Sequence, residues 1–461
     1  MGRVLKRIRE LISNGWNSND SSLHSIDNRG SALPNPSDQT IISSSSPNVI
    51  ERLPLDVFLQ IIKLLEPKEA ARLTSVCKSW KAIVSDDRLW KYFLRNQQDH
   101  WPSTFFAETK LRYGFPLRTC RYQELSFMRI YGERTIVPGA IIIDGGAGYC
   151  KFGWSKYDSP SVRLTTLVEF TNIGGSMEAG LYEFFATVYR SMHVYPSSQP
   201  VIISSPIVYY GDAEASRYQD SDVMRTVLLK MKVPAICVVN QASLAMFSAR
   251  RTWGILVNIG FLKTTVYPIE NGAIRRKSGM ISVDVGGLKL TKYLRKQLHQ
   301  RNLHVPSLYT ARSLKEKLCY VALDYEAELL KDTEASCTVD SFGCFTLNHE
   351  RFKTGELLFQ PHIAGINGRG LHKAVAECID HCGKVKMKSG HDWFKTIVLA
   401  GGTARLPGLA KRLEKELRDV LPLSVSKGIR VIVSPYGADA AWHGAKLVSN
   451  LSTFRDSWCR S

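Results

Sequence analysis

Long apolar runs are missing from this 461-residue chain. No stretch of about 18 uncharged apolar side chains occurs, so no membrane-spanning helix is expected. The N-terminus has no apolar core of the kind a secretory signal carries. Cysteine is sparse, with ten scattered residues. That excludes a disulfide scaffold and leads us to expect an intracellular chain with reduced thiols. Acidic residues are outnumbered, 42 against 61 basic, for a formal net charge of +19. The excess is spread along the chain, +1 over residues 1–48, +5 over 49–136 and +13 over 137–461. A diffuse positive field serves solubility or attracts polyanions, and the second use points to the nucleus. No nucleophile-elbow sequence and no aromatic-interleaved basic array is found, so neither a hydrolase nor a single-strand binder is indicated. What is present is ordinary globular composition, 44% hydrophobic and 22% charged, in a length that allows two to four domains.

Residues 13–48 contain eleven Ser and little apolar surface, so this stretch is expected to be disordered. Ahead of it, Val4, Leu5, Ile8, Leu11 and Ile12 fall at helical spacing among Arg3, Lys6, Arg7 and Arg9. That pattern suits a frayed end, a basic amphipathic helix or part of an import signal. From residue 49 the pattern tightens. Leu55, Phe58, Leu59, Ile62 and Leu65 form one helical stripe, and Glu66-Pro67 ends it and starts another helix. Leu73, Val76 and Cys77 are read as the apolar face of the second helix, extended by Trp80. Asp86-Asp87 opens a third helix, where carboxylates favour the positive end of the dipole. So short a segment cannot cover its own apolar surface and is expected to dock on something.

Leu53-Pro54, the Leu/Ile helix, Val76-Cys77-Lys78-Ser79-Trp80 and Leu89-Trp90 together resemble an F-box over residues 49–96. The resemblance implies binding to the adaptor subunit of Skp–cullin–F-box ubiquitin ligases. The contact residues it implies are Leu53, Pro54, Leu55, Ile62 and Trp80. Residues 97–136 are aromatic and are read as a helical connector.

From Pro138 the sequence reads as α/β. Ala140 to Ile143 is a buried strand, Asp144-Gly145-Gly146-Ala147-Gly148 a tight turn, and Tyr149 to Trp154 a second strand. The same device recurs from Gly254 through Asn258-Ile259-Gly260 into Thr264 to Ile269, which implies two similar halves. A third turn, Gly401-Gly402-Thr403, follows a strand at Ile397-Val398. Glycine turns let backbone N–H groups approach an anion. Lys151 adds a point charge and Asp144 suits a hydrated Mg²⁺. Inherited geometry around an empty cleft is the alternative.

Asp144 to Lys151 resembles the first phosphate loop of actin. Lys315-Glu316-Lys317-Leu318-Cys319-Tyr320-Val321-Ala322-Leu323-Asp324 is also similar to actin, as are Glu350-Arg351-Phe352, Leu358 to Pro361, Gly401 to Thr403 and Leu451 to Phe454. The combination resembles plant F-box proteins built on an actin-related domain over 137–461. The resemblance implies the α/β actin/Hsp70/sugar-kinase ATPase-like fold, two lobes around a cleft, behind a small all-α F-box. It implies ATP or ADP with Mg²⁺ as ligands, at Asp144, Gly145, Gly146, Lys151, Gln241, Gly260, Lys315, Glu316, Gly401, Gly402 and Thr403. The departures weigh against catalysis. Actins carry two Asp in the second phosphate loop, and those positions match Asn258 and Phe261 here, while Ala147 replaces a Ser. Neither residue can order a hydrated cation as a carboxylate does, so hydrolysis is not expected. The stretch from Lys151 to Pro200 is too short for actin's subunit-gripping loop, and actin's terminal tail after Trp458 is missing, so no filament is expected.

Cys378, His381, Cys382 and His391 lack the spacing of a structural zinc site and are read as packing. Arg275-Arg276-Lys277 and Lys384, Lys386 and Lys388 are read as solvated basic loops, with acidic partners or nuclear import as the alternative. The expected function is a non-catalytic ligase adaptor with an unknown protein substrate, placed in the nucleus or nucleolus, with cytoplasm as the alternative. A nuclear structural protein of a chromatin or nucleolar assembly and an ATP-dependent switch are the other readings.

Overall fold

The computed structural model describes residues 54–97, 99–112, 124–164, 176–205, 214–275, 279–339, 343–384, 393–454 and 459–460. The N-terminal stripe, the Ser-rich stretch 13–48, Leu53, Arg276-Lys277, Lys386, Lys388, His391 and Trp458 lie outside them. The described residues form two compact units, one from 54–101 and 124–132 and the other from 102–112 and 133–460. The stretch expected as a single connector contributes residues to both.

The first unit is all helical. Helices span Leu55–Lys63, Pro67–Arg72, Lys78–Val84 and Asp87–Arg95. Pro67 begins its helix at the position where a missing N–H costs nothing. Cys77 Sγ accepts the Trp80 amide at 3.4 Å, and Asp86 Oδ1 accepts the Arg88 amide at 2.7 Å, so both following helices start on a side-chain cap. Phe58, Leu59, Ile62, Leu73, Trp80, Val84, Trp90 and Phe93 fill the core. The Trp80 ring meets Phe58 edge-on with centroids 4.9 Å apart, and Trp90 Nε1 donates to Val84 O at 2.6 Å. The second helix is broken where the sequence suggested continuity. A 3₁₀ turn covers Leu73–Ser75, and Val76 and Cys77 are exposed because Cys77 is needed as a cap.

The second unit holds two six-stranded sheets of matching plan. In one, the order is β14-β5-β4-β1-β2-β3, with β1 Ile141–Gly145, β2 Cys150–Trp154, β3 Val162–Leu164, β4 Val201–Ser205, β5 Ala235–Asn240 and β14 Cys459–Arg460. The other runs β13-β12-β6-β7-β8, with β9 also on β7. Its strands are β6 Gly254–Ile259, β7 Thr264–Glu270, β8 Ala273–Ile274, β9 Ile281–Val283, β12 Thr396–Ala400 and β13 Arg430–Val433. Each sheet pairs a hairpin with parallel strands: β1 is antiparallel to β2 and parallel to β4, and β6 is antiparallel to β7 and parallel to β12. The internal duplication read from the glycine turns is therefore a repeat of topology, with two similar α/β halves as expected. A small ribbon, β10 Ala335–Val339 with β11 Gly343–Leu347, stands apart from both sheets.

The central strands are near-continuous apolar runs, as buried parallel strands require. The chain passes between the sheets through two helices, Gln241–Ser248 after β5 and Ala440–Ser449 after β13. These helices pack on one another. A Cβ on Gly444 would lie 1.9 Å from Leu244 O, so only glycine allows this approach. No described helix is long and apolar enough to cross a membrane.

Candidate functional site

The hairpin turns of β1–β2 and β6–β7 face one cavity of about 500 Å³. The start of the Gly287–Gln300 helix, the Gly401–Arg405 turn and residues 436–441 complete its wall. Asp144, Gly145, Gly146, Lys151, Gln241, Gly260, Lys315, Glu316, Gly401, Gly402 and Thr403, distant in sequence, all line it.

Asp144 is the penultimate residue of β1, opposite Lys151 on β2 and beside Ser204 on β4. Its Oδ1 accepts from Ser204 Oγ at 2.5 Å and from Gln241 Nε2 at 2.9 Å, and its Oδ2 lies 3.3 Å from Lys151 Nζ. Gln241 Nε2 also donates to Gly145 O at 3.0 Å, tying the turn to the helix after β5. Lys151 Nζ donates further to Ala438 O and lies 3.8 Å from Asp439. Arg163, on β3, grips Asp439 through two hydrogen bonds of 2.8 and 2.7 Å. Burial works to raise the Asp439 carboxyl, but the bonds from Arg163 and the nearby cations outweigh it and hold it below the ordinary value.

The second turn is tethered from behind. Gly260 O accepts from Gly287 N at 2.9 Å and Phe261 O from Leu288 N at 2.8 Å. The Phe261 ring packs against the first turn: a Cβ on Gly148 would meet it at 3.0 Å. Asn258 Nδ2 donates to Gln241 Oε1 at 3.4 Å. Gly401 takes φ +93°, and a Cβ there would lie 2.3 Å from Ile259 O, so the residue serves both a left-handed turn and a close approach. On the far side, buried Lys315 donates to Gly287 O and Thr291 Oγ1, each at 3.0 Å. Burial lowers its pKa. Glu316 pairs with Arg312 at 2.8 Å, and Arg312 reaches Tyr149 Oη at 2.6 Å.

These donors do not fit a hydrated Mg²⁺. The one carboxylate at the paired turns, Asp144, is already engaged by a hydroxyl, an amide and an ammonium group. Asn258 and Phe261 add no charge, and among the described residues no three His, Cys, Asp or Glu converge on a cation site. Cys378 and Cys382 are buried in the apolar core of the second half, while His381 is exposed with Nδ1 against Glu377 O.

Sequence reasoning missed Arg163, Arg312 and Asp439. Arg163 and Asp439 stand 276 residues apart, and neither belongs to the three glycine turns read from the sequence, so no signal there marks them.

A second surface lies on the helical unit. Pro54 and Leu55 are exposed, Leu55 at 43%. Two of the contact residues expected from the sequence are not on it: Ile62 is 0% and Trp80 6% exposed. Ile62 follows Phe58 and Leu59 by four and three positions, which turns it inward, and Trp80 closes the core over Phe58. The exposed large apolar side chains of this unit are instead Leu55, Val57, Leu64 (65%), Val76 and Leu125.

Residues 182–317 and 307–461 match the family described as Actin, and residues 50–96 match the family described as F-box-like. The chain is 51% identical over 461 residues to "Actin-related protein 8" of Arabidopsis thaliana, covering 99% of this chain and 97% of that protein. It is 51% identical over 417 residues to the proteins of the same name from Oryza sativa subsp. indica and subsp. japonica, covering 89% of this chain and 86% of each.

Proposed function

The chain belongs to the actin family and carries an F-box-like segment, and from that premise we propose that it is a substrate-recruiting adaptor of a Skp–cullin–F-box ubiquitin ligase. The helical unit engages the Skp-type subunit, the actin-like unit presents a surface to a protein client, and the partners perform the ubiquitin chemistry. The observation that carries this reading is the exposed apolar set Leu55, Val57, Leu64 and Val76 on a unit whose own core is already filled. Exposed apolar side chains on so small a unit suit a protein interface. The cleft then acts as a joint between the halves, with neither ATP turnover nor filament assembly required of it. Residence in the nucleus accords with the formal net charge of +19.

The test is capture of a purified Skp-type subunit by the full chain. Leu55→Asp with Leu64→Asp buries no new charge in the core and should abolish capture while the helical unit stays folded. Undiminished capture by the folded double variant refutes the reading. The second reading, a structural component of a nuclear actin-related assembly, draws on the match of the larger unit to the actin family and predicts chromatin or nucleolar association that survives the same double variant.

A further inference from the structure

Asp439 immediately precedes the Ala440–Ser449 helix, at the position where an aspartate ordinarily accepts a first-turn amide. It makes no such bond. The chain uses that device elsewhere, at Ser176, Asn240, Ser307 and Asp324. The Asp439 carboxylate turns instead into the cleft, where Arg163 holds both its oxygens and Lys151 approaches one of them. Lys151 thereby has two carboxylates and the Ala438 carbonyl around a nitrogen that would otherwise be the charge partner of an incoming phosphate. The remaining cleft acid, Glu316, is matched by Arg312. Lys151 and Arg163 are matched locally by Asp144 and Asp439, while Lys263, Lys315 and Arg405 also line the cavity, so it is a phosphate directed at Lys151 and Arg163 that meets the charge of Asp439.

We propose that Asp439 is the cleft's internal anion: it occupies the cationic pair Lys151 and Arg163 in place of a ligand phosphate and sets the cleft's specificity against a phosphate at that pair. Specificity of this kind comes from a built-in repulsive element. Asp439 therefore determines selectivity without doing chemistry, and the ligase reading does not depend on it.

Calorimetric titration of the full chain with ADP and with adenosine, in buffer containing EDTA, tests the inference. The wild-type chain binds ADP no more tightly than adenosine. Asp439→Asn keeps the side-chain shape and frees the cationic pair, and it gains about tenfold or more for ADP. Its adenosine affinity stays within about twofold of wild type. Arg163→Gln loosens the same tie while keeping the anion and should give no gain. ADP affinity of Asp439→Asn that matches wild type, including no binding by either chain, overturns the proposal. So does an equal gain from Arg163→Gln, which would mean that loosening rather than charge is responsible. Should the asparagine variant fail to fold, as judged by its melting curve, Asp439→Ser carries the same expectation.

Discussion

Replacing Ile62 with Ala separates the inward from the outward face of the helical unit. Ile62 has no exposed surface and sits among Phe58, Leu59, Leu65 and Trp80. Truncating a fully buried isoleucine costs about 2–5 kcal/mol, because the transfer term and the cavity left behind add. A core this small supplies only about 3–5 kcal/mol in total. The substitution therefore removes most of the unit's stability and opens it locally. Leu64, two residues away and 65% exposed, loses almost no packing, and Leu64→Ala should stay within about 0.5 kcal/mol of wild type. Hydrogen exchange of the full chain, read on peptides from 58–94, resolves the two cases. Ile62→Ala should accelerate exchange there by roughly 30-fold or more, and Leu64→Ala should leave it unchanged. In the capture assay Leu64→Ala weakens binding by losing a contact, whereas Ile62→Ala weakens it by unfolding the contact surface. Equal acceleration by both variants, or none by Ile62→Ala, would refute the assignment of faces.

Two further outcomes concern the helix behind the cleft. Burial pushes His443 down from 6.5 to about 4, with its ring stacked on Tyr436. Between those values the unfolded chain binds the proton and the folded chain does not. The stability is therefore whole above about pH 6.5 and is lost as pH falls toward 4, by about 3 kcal/mol at most. Urea midpoints from pH 7.5 to 4.5 should show a shallower decline for His443→Gln than for wild type, and parallel profiles would contradict the burial. Gly444→Ala should destabilise by more than the ~1–3 kcal/mol of ordinary overpacking, because its Cβ meets backbone that cannot turn aside. Gly383→Ala, with nothing within 4 Å, should be neutral or slightly stabilising, and similar melting temperatures for the two would argue against the close approach.

The repeated strand–turn–strand units were legible because a buried parallel strand and a glycine turn each leave a local signature, at 140–148, 254–260 and 397–403. Local signatures also gave the caps and breaks at Pro67 and Asp86. They did not give the faces. The motif that marks Ile62 and Trp80 does not say whether they meet a partner or each other's neighbours, and packing over Phe58 decides that. The cleft's charge balance was illegible for another reason. Arg163 belongs to a short edge strand and Asp439 to a turn before a helix, and only the fold brings them together. Asn258 and Phe261 were read as losses of carboxylates, and their geometry adds that Phe261 fills the gap against Gly148.

The two helices that carry the chain between the sheets stand side by side, in backbone contact at Leu244 and Gly444. A double crossing is the kind of short connection about which two packed halves hinge. The Asp439 bridge to Lys151 and Arg163 lies at the start of one of these helices. On the proposed reading, one residue at the mouth of a crossing helix decides what the cavity offers, while the crossing itself is built from the backbone contact further along.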